Sequence, residues 1–292
     1  MTTVGQWIEG ARPRTLPAAV APVLVGTGAA AAGGDVRIGR ALLALVVSLA
    51  LQVAVNYAND YSDGIRGTDT RRVGPLRLVG SGVSSPAAVK RAAVAAFAVA
   101  AAAGLVLAAL TTWWLLAIGA AAMLAAWFYT GGSRPYGYRA LGELSVFVFF
   151  GLVATIGTAY VQLERVTATA VAGGIGCGAL ACALLVVNNL RDIAGDTAVG
   201  KRTLAVVLGD ADTRRLYAAL VLLPLALSAL AGIRSWPMLL GLLALPLAVA
   251  PTRRVLGGAD GRRLVRVLGD TGLLLLAWSV ATAIGLALGP IA

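Results

Sequence analysis

Two short stretches place amides and carboxylates at helical spacing where apolar runs end. The first reads Asn56-Tyr57-Ala58-Asn59-Asp60-Tyr61-Ser62-Asp63-Gly64-Ile65-Arg66-Gly67-Thr68-Asp69, the second Asn188-Asn189-Leu190-Arg191-Asp192-Ile193-Ala194-Gly195-Asp196. On a helix, Asn56, Asp60 and Asp63 fall at i, i+4 and i+7, and Asn189, Asp192 and Asp196 at i, i+3 and i+7. Each trio is therefore expected to project from one face as a comb of oxygens. Such a comb suits a hard dication, and Mg²⁺ usually takes one or two carboxylates together with waters and substrate phosphates. Two combs facing each other match a diphosphate bridged by two Mg²⁺ ions, with Lys201, Arg202, Arg134, Arg66 and Arg77 balancing the remaining phosphate charge. The competing explanation is that these acids cap helices or pair with Arg66 and Arg191. A second, similar cluster at the end of another apolar run argues for a site.

The combs need an apolar scaffold. Of 292 residues, 59% are apolar and 13% charged, against about 45–50% and about 25% in soluble domains. Apolar runs of about 18–22 residues recur, enough to cross a hydrocarbon core about 30 Å thick. The expected class is all-α, a polytopic membrane bundle forming one domain over residues 1–292; a β-barrel would need short alternating strands. Acids ending such runs are costly in hydrocarbon, so they imply a wet cavity, a partner or a bound cation. The formal charge of +11 does not point to nucleic acid, because the basic residues sit in short loops between spans, where membrane topology is written. There is no histidine, which excludes His-ligated metals, a haem axial His and a His general base. Cys177 and Cys182 share one apolar run and are expected as small packing residues, not a disulfide.

Nine transmembrane helices are expected, over about 15–32, 40–62, 87–111, 113–130, 142–161, 167–190, 212–231, 235–252 and 269–289. Arg12 and Arg14 ahead of an apolar stretch resemble a secretory leader, but Pro17, Pro22 and the length of the segment favour a retained first helix. With nine spans, the amino terminus and the loops after helices 2, 4, 6 and 8 carry 20 of the 24 basic residues, leaving Arg37, Arg40, Arg165 and Arg234 opposite. That asymmetry assigns the first side, amino terminus included, to the cytoplasm. The two longest connections, 62–86 and 192–211, lie on that side as glycine-rich, basic lids, so a polar chamber facing the cytoplasm is expected. Gly174 and Gly178 form a GxxxG spacing that lets helices approach closely. Asp210, Asp212, Asp260 and Asp270 stand singly near helix termini as caps or solvated acids. Glu143, opening the fifth expected helix, is ambiguous, and its place at a helix start explains it without catalysis. Acids at span ends beside basic loops, not at mid-span, argue against a cation-coupled transporter.

The end of helix 2 carries an NDxxDxxxD-like pattern and the end of helix 6 a DxxxD-like pattern. With these, the chain resembles the UbiA-type intramembrane aromatic prenyltransferases over essentially its full length. The stretches ARPRTLPAAVAPVLVGTG, NYANDYSDGIRGTD, VGPLRLVGSG, WFYTGGSRPYGY and NNLRDIAGDTAVGKRTLAVVLG resemble more narrowly those members, in their actinobacterial form, that prenylate 1,4-dihydroxy-2-naphthoate in menaquinone synthesis. One departure is that the third acid of the first pattern falls on Gly67, with Asp69 two residues further on. The resemblance implies two Mg²⁺ ions held mainly by Asp60, Asp63, Asp192 and Asp196, with Asn56 and Asn189 assisting. It also implies diphosphate contacts from Tyr129, Arg134 and Lys201; Arg12 and Thr15 are further candidates, with a topology anchor as the alternative.

An enzyme of the plasma membrane is thereby expected, taking a polyprenyl diphosphate from the lipid bilayer. Stabilising the departing diphosphate ionises the allylic C–O bond without a protein nucleophile. A ring carbon of 1,4-dihydroxy-2-naphthoate then attacks the cation and CO₂ is lost, giving demethylmenaquinone. Tyr57, Tyr61, Trp127, Phe128, Tyr129, Phe147, Phe149 and Phe150 are candidates to shield the cation with their π faces. The acidic combs read only the shared donor, so other acceptors of the family, such as 4-hydroxybenzoate, haem, chlorophyllide or phosphoribose diphosphate, are separated from the naphthoate by the subgroup resemblance alone.

Overall fold

A computed structural model describes residues 2–68 and 76–289. Asp69 and the adjoining part of the first expected lid lie outside the described residues. The regular structure is helical, with no strand among the described residues and one isolated bridge pairing Arg139 with Arg202. The helices are α1 (Val4–Gly10), α2 (Pro17–Ala32), α3 (Ile38–Arg66), α4 (Pro86–Leu110), α5 (Trp114–Phe128), α6 (Gly142–Val146), α7 (Ala154–Leu163), α8 (Ala168–Ala198), α9 (Leu204–Gly232), α10 (Leu245–Leu256) and α11 (Gly261–Leu288). A π-helical segment, Phe147–Val153, joins α6 to α7 in one continuous span, and a 3₁₀ segment, Trp236–Ala244, leads into α10.

Among the described residues seven helical stretches are long and apolar enough to cross a membrane, and an eighth counts if Val4–Thr15 and Pro17–Ala32, bent by 51°, form one broken span. Helix α5 is apolar but only 15 residues long, about 22 Å at 1.5 Å per residue against a hydrocarbon core of about 30 Å. The nine expected segments therefore all fall on helices, while seven or eight meet the length of a span.

Helix α8 is the axle of the bundle: 78% of its apolar window is buried inside the protein, against 17% for α3. Its small residues explain this, since they let larger neighbours reach the helix backbone. Val25 of α2 lies against Gly173, the Trp278 ring of α11 over Gly176, and Phe147 over Gly178. Gly151 meets the expected GxxxG pair directly. A Cβ at Gly151 would lie 2.5 Å from the Gly178 Cα and 2.7 Å from the Gly174 carbonyl oxygen. Gly151→Ala is accordingly expected to destabilise the fold by about 1–3 kcal/mol through overpacking. Thermal unfolding in detergent checks this: an unchanged midpoint would mean the two helices can part without cost.

The expected boundaries need correcting at the motif ends. Helix α8 continues to Ala198, not 190, α9 begins at Leu204, not 212, and α11 at Gly261, not 269. The second expected lid, 192–211, is thus helical except at residues 199–203 and at Gly209, whose φ of 78° and ψ of 176° kink α9 near its start. Chain reversal waits for Gly200, whose φ of 71° is left-handed and favours a residue without Cβ; Thr203 then caps α9 by accepting the Val206 N–H. Both cysteines are buried and free, as expected.

Candidate active site

Between α2, α3, α5, the α6–α7 span and α8 lies a cavity of about 1670 Å³. Its polar end is lined by residues of both motifs, including Asn56, Asn59, Asp63, Asn188 and Asn189, together with Tyr129, Thr130, Arg77, Arg191 and Lys201. Ala44, Leu51, Leu115, Met123, Phe149, Val153 and Val161 carry the wall on as an apolar surface. Along α3, the lining from Ala44 to Asp63 spans about 28 Å at 1.5 Å per residue. One chamber therefore combines a polar head and an apolar wall that together run about as far as the hydrocarbon core is thick.

On α3 the expected comb divides. Asn56, Asn59 and Asp63 line the chamber, whereas Asp60, fully buried, accepts the backbone N–H groups of Leu78 at 2.7 Å and Val79 at 3.1 Å. Helix geometry keeps Asn56, Asp60 and Asp63 on one side as expected, Asp60 about 40° from Asn56 in one direction and Asp63 about 20° in the other; what separates them is the loop docked on the flank of Asp60. That flank meets the loop after α3, where Leu78 is buried among Tyr57, Val89 and Ala93. Asn56 donates through Nδ2 to the Ala11 carbonyl at 2.8 Å and to Thr15 Oγ1 at 3.0 Å, and Gln52 also donates to Thr15 Oγ1 at 2.9 Å. Thr15 in turn bonds the carbonyl of Arg12, whose φ of 56° is left-handed. The amino-terminal segment is thus pinned on the chamber, with Arg12 in its wall.

On α8, Asn189 lines the chamber and donates through Nδ2 to Glu143 Oε1 at 2.8 Å. Asp192 pairs in bidentate fashion with Arg191, both bonds 2.8 Å, and Asp196 lies 3.5 Å from Lys201 Nζ. Asp192 and Asp196 lie outside the cavity lining, as do Asp60, Arg66, Arg134 and Arg202. The Arg66 guanidinium reaches the carbonyls of Thr130 and Gly132 and so secures the end of α5. Arg134 and Arg202 are exposed. The acids expected to stand apart do so: Asp210 pairs with Arg214, Asp212 with Arg215, Asp260 with Arg263 and Asp270 with Arg254.

Tyr138, which the motif reading passed over, ties the two motifs together. Its hydroxyl donates to Asp63 Oδ1 at 2.8 Å, and its ring lies 5.2 Å from Lys201 Nζ and 5.8 Å from the Arg66 guanidinium. The Ala140 N–H bonds the Arg202 carbonyl at 2.8 Å, and the Arg202 N–H returns to the Tyr138 carbonyl at 3.2 Å. Burial, and then the charge of Asp63, push the Tyr138 phenol above its ordinary range, so at neutral pH it stays a donor. Tyr138→Phe keeps the ring but removes a bond to a carboxylate worth about 1.5–3 kcal/mol. A loss of about 10- to 100-fold in kcat/KM is expected, with a fall of several degrees in melting temperature. A variant with wild-type kinetics would leave Asp63 positioned without this bond.

Of the expected aromatic shield, Tyr129, Phe149 and Phe150 line the chamber. Tyr57 bonds the Trp7 carbonyl at 2.8 Å, Tyr61 stacks on Trp127 at 6.3 Å, and Phe147 packs on Gly178. Phe128 is exposed, with 47% of its surface accessible.

The donors on the chamber wall fit a hard dication: Asp63 offers a carboxylate and the asparagines amide oxygens, with no soft ligand among them. No group of three metal-binding acids or cysteines stands together among the described residues. The arrangement the donors fit is one or two carboxylates completed by phosphate oxygens and water.

The profile of the UbiA prenyltransferase family matches residues 19–277. The 1,4-dihydroxy-2-naphthoate octaprenyltransferase of Mycobacterium tuberculosis is 52% identical, with 99% of each chain covered. That of Escherichia coli is 38% identical over 94% of this chain and 96% of its own. Among solved structures, a UbiA homolog from Archaeoglobus fulgidus bound to DMAPP and Mg²⁺ is similar with a TM-score of 0.64, at 15% identity, over 95% of this chain and 99% of that one. The apo UbiA homolog from Aeropyrum pernix K1 gives a TM-score of 0.69 at 17% identity, over 92% and 96%. These two likenesses concern the fold. The profile and the sequence relatives, which span nearly the whole chain, place this protein in the UbiA prenyltransferase family.

Proposed function

We propose that the protein is an integral-membrane prenyltransferase that moves a polyprenyl chain from an allylic diphosphate to 1,4-dihydroxy-2-naphthoate, with loss of CO₂, giving demethylmenaquinone. The observation that carries this reading is the joining of a motif-lined polar head to a long apolar wall in one cavity. The name of the mycobacterial relative at 52% identity supports the acceptor. We place the protein in the plasma membrane with nine spans, α5 being a short one, and with its amino terminus and chamber mouth cytoplasmic, on the strength of the basic-residue asymmetry.

Asp63, steadied by Tyr138, offers a carboxylate at the polar head, and Asn56 and Asn189 offer amide oxygens to the same chamber. Asp192 and Asp196 follow Asn189 on α8 and complete the acidic set from the second motif. Two divalent cations, Mg²⁺ by donor chemistry, supply Lewis-acid neutralisation of the diphosphate when bound. Lys201, Arg77 and Arg191 complement the charge that grows on the leaving diphosphate as the C–O bond breaks. Tyr129, Phe149 and Phe150 face the allylic cation and keep water from it. The apolar wall holds the chain so that its first carbon stays at the polar head.

The test is transfer from a labelled long-chain allylic diphosphate by purified protein in lipid with Mg²⁺, offering 1,4-dihydroxy-2-naphthoate and 4-hydroxybenzoate separately, with EDTA controls. An EDTA-sensitive prenylated naphthoquinol with release of CO₂ is expected. Prenylation of the benzoate alone would overturn the acceptor, and transfer to neither by folded protein would overturn the reaction.

A further inference from the structure

Glu143 stands at the start of the α6–α7 span with 8% of its surface exposed, and it is not part of the cavity lining. Its Oε1 accepts Asn189 Nδ2, while Oε2 is buried without a hydrogen-bond partner among the described residues. Its main-chain carbonyl accepts the Cys182 thiol at 3.1 Å, which clamps the same turn to α8 a second time. A half-satisfied buried carboxylate costs stability. Helix packing does not need it, because Gly151 against Gly174 and Gly178 already brings this span onto α8. A helix-start role does not explain it either, since the side chain is turned to another helix.

What the carboxylate does follows from the polarity of an amide. In the observed contact Glu143 Oε1 accepts, so Asn189 turns its NH₂ toward Glu143 and its Oδ1 away, and Asn189 lines the chamber. The first motif repeats the arrangement by other means. Asn56 Nδ2 is taken by the carbonyl of Ala11, which only accepts, and by Thr15 Oγ1. Each motif helix therefore brings an asparagine whose donor end is held by the scaffold and whose oxygen is left for the chamber. Amide oxygens lining the same chamber as Asp63 suit a hard cation; they cannot donate to a phosphate.

We propose that Glu143 is a positioning residue which, acting through Asn189, fixes a cation-ligating amide oxygen in the chamber. The proposal rests on the function proposed above. Supporting contacts of this kind typically change metal affinity by about 10- to 100-fold when removed.

The experiment uses full-length protein in nanodiscs and the unreactive analogue farnesyl thiodiphosphate. Its binding is followed calorimetrically as Mg²⁺ is titrated, so no turnover is needed. Glu143→Leu is expected to raise the Mg²⁺ concentration for half-maximal binding by about 10-fold or more, whereas Glu143→Gln, whose Oε1 still accepts Nδ2, stays within about threefold of wild type. Asn189→Asp alone sets two carboxylates against each other and is expected to lose the Mg²⁺ response. Adding Glu143→Gln is expected to restore it, because the glutamine now donates to the new carboxylate. A merely structural role would lower the melting temperature and leave the Mg²⁺ requirement of the folded protein unchanged, and that result overturns the proposal. Failure of the double variant to recover overturns it as well, and this pair decides alone if Glu143→Leu does not fold. Wild-type protein that shows no Mg²⁺-dependent binding of the analogue would instead overturn the functional reading, and the positioning role with it.

Discussion

Asp63→Asn is expected to lower prenyl transfer by about 10³-fold while leaving the fold intact. Asparagine has nearly the shape of aspartate and retains an oxygen for the Tyr138 hydroxyl, which now sits 2.8 Å from Asp63 Oδ1. The substitution therefore removes one charge and little else. That charge stands at the polar head of the chamber, buried to 3% exposure, where a group that balances developing charge commonly contributes about 10²–10³-fold in rate. Weaker retention of the cation adds to the loss. The check is single-turnover transfer at saturating diphosphate together with a melting curve. Transfer within about tenfold of wild type, in folded protein, would place the working carboxylates elsewhere and count against the chamber as the reaction site.

Asp60→Ala is expected to fail differently. Asp60 is fully buried, and both of its oxygens are engaged by the Leu78 and Val79 N–H groups. Alanine would strand the buried Leu78 N–H, at about 1–3 kcal/mol, and the part-buried Val79 N–H, at less. The segment around Leu78, which packs under Tyr57 and against Val89 and Ala93, would lose its tether to α3. Destabilisation of about 1–4 kcal/mol is expected, seen as a lower melting temperature and faster proteolysis within the loop after α3. Activity falls as a consequence, because Arg77, a chamber residue, is carried on the same loop. Asp60→Asn keeps one acceptor and should recover part of the stability. If instead Asp60→Ala melted like wild type and lost only its Mg²⁺ response, Asp60 would be a ligand on a par with Asp63, as the motif pattern implies. The contrast between neighbouring acids of one motif separates support of the loop from direct work in the chamber.

Some of this architecture was legible because it is local. Apolar runs longer than about 18 residues specify membrane helices whatever surrounds them, and each expected segment falls on a helix. The glycines of α8 announced a helix that others approach closely, and Val25, Trp278 and Gly151 do approach it. The motif residues Asn56, Asp63, Asn189 and Lys201 could be named from type and spacing alone, and all four line one cavity. Helix ends were less legible, because α8 runs on past the polar residues that had seemed to close it, until Gly200 permits the reversal.

What spacing could not supply was orientation relative to partners distant in the chain. Asp60 and Asp63 are equally acidic and lie one turn apart, yet a loop docked on one flank of α3 takes the first and leaves the second to the chamber. Tyr138 ends the stretch WFYTGGSRPYGY without standing out there by type or spacing, and its value comes from lying 75 residues from Asp63 in sequence and 2.8 Å away in space. Glu143 reads as an ordinary helix start until its carboxylate is found on Asn189, 46 residues later. A sequence pattern records which groups a helix carries and how far apart they stand on it. Which of them meets a cation, a loop or another helix depends on what packs against each flank, and only the assembled bundle determines that.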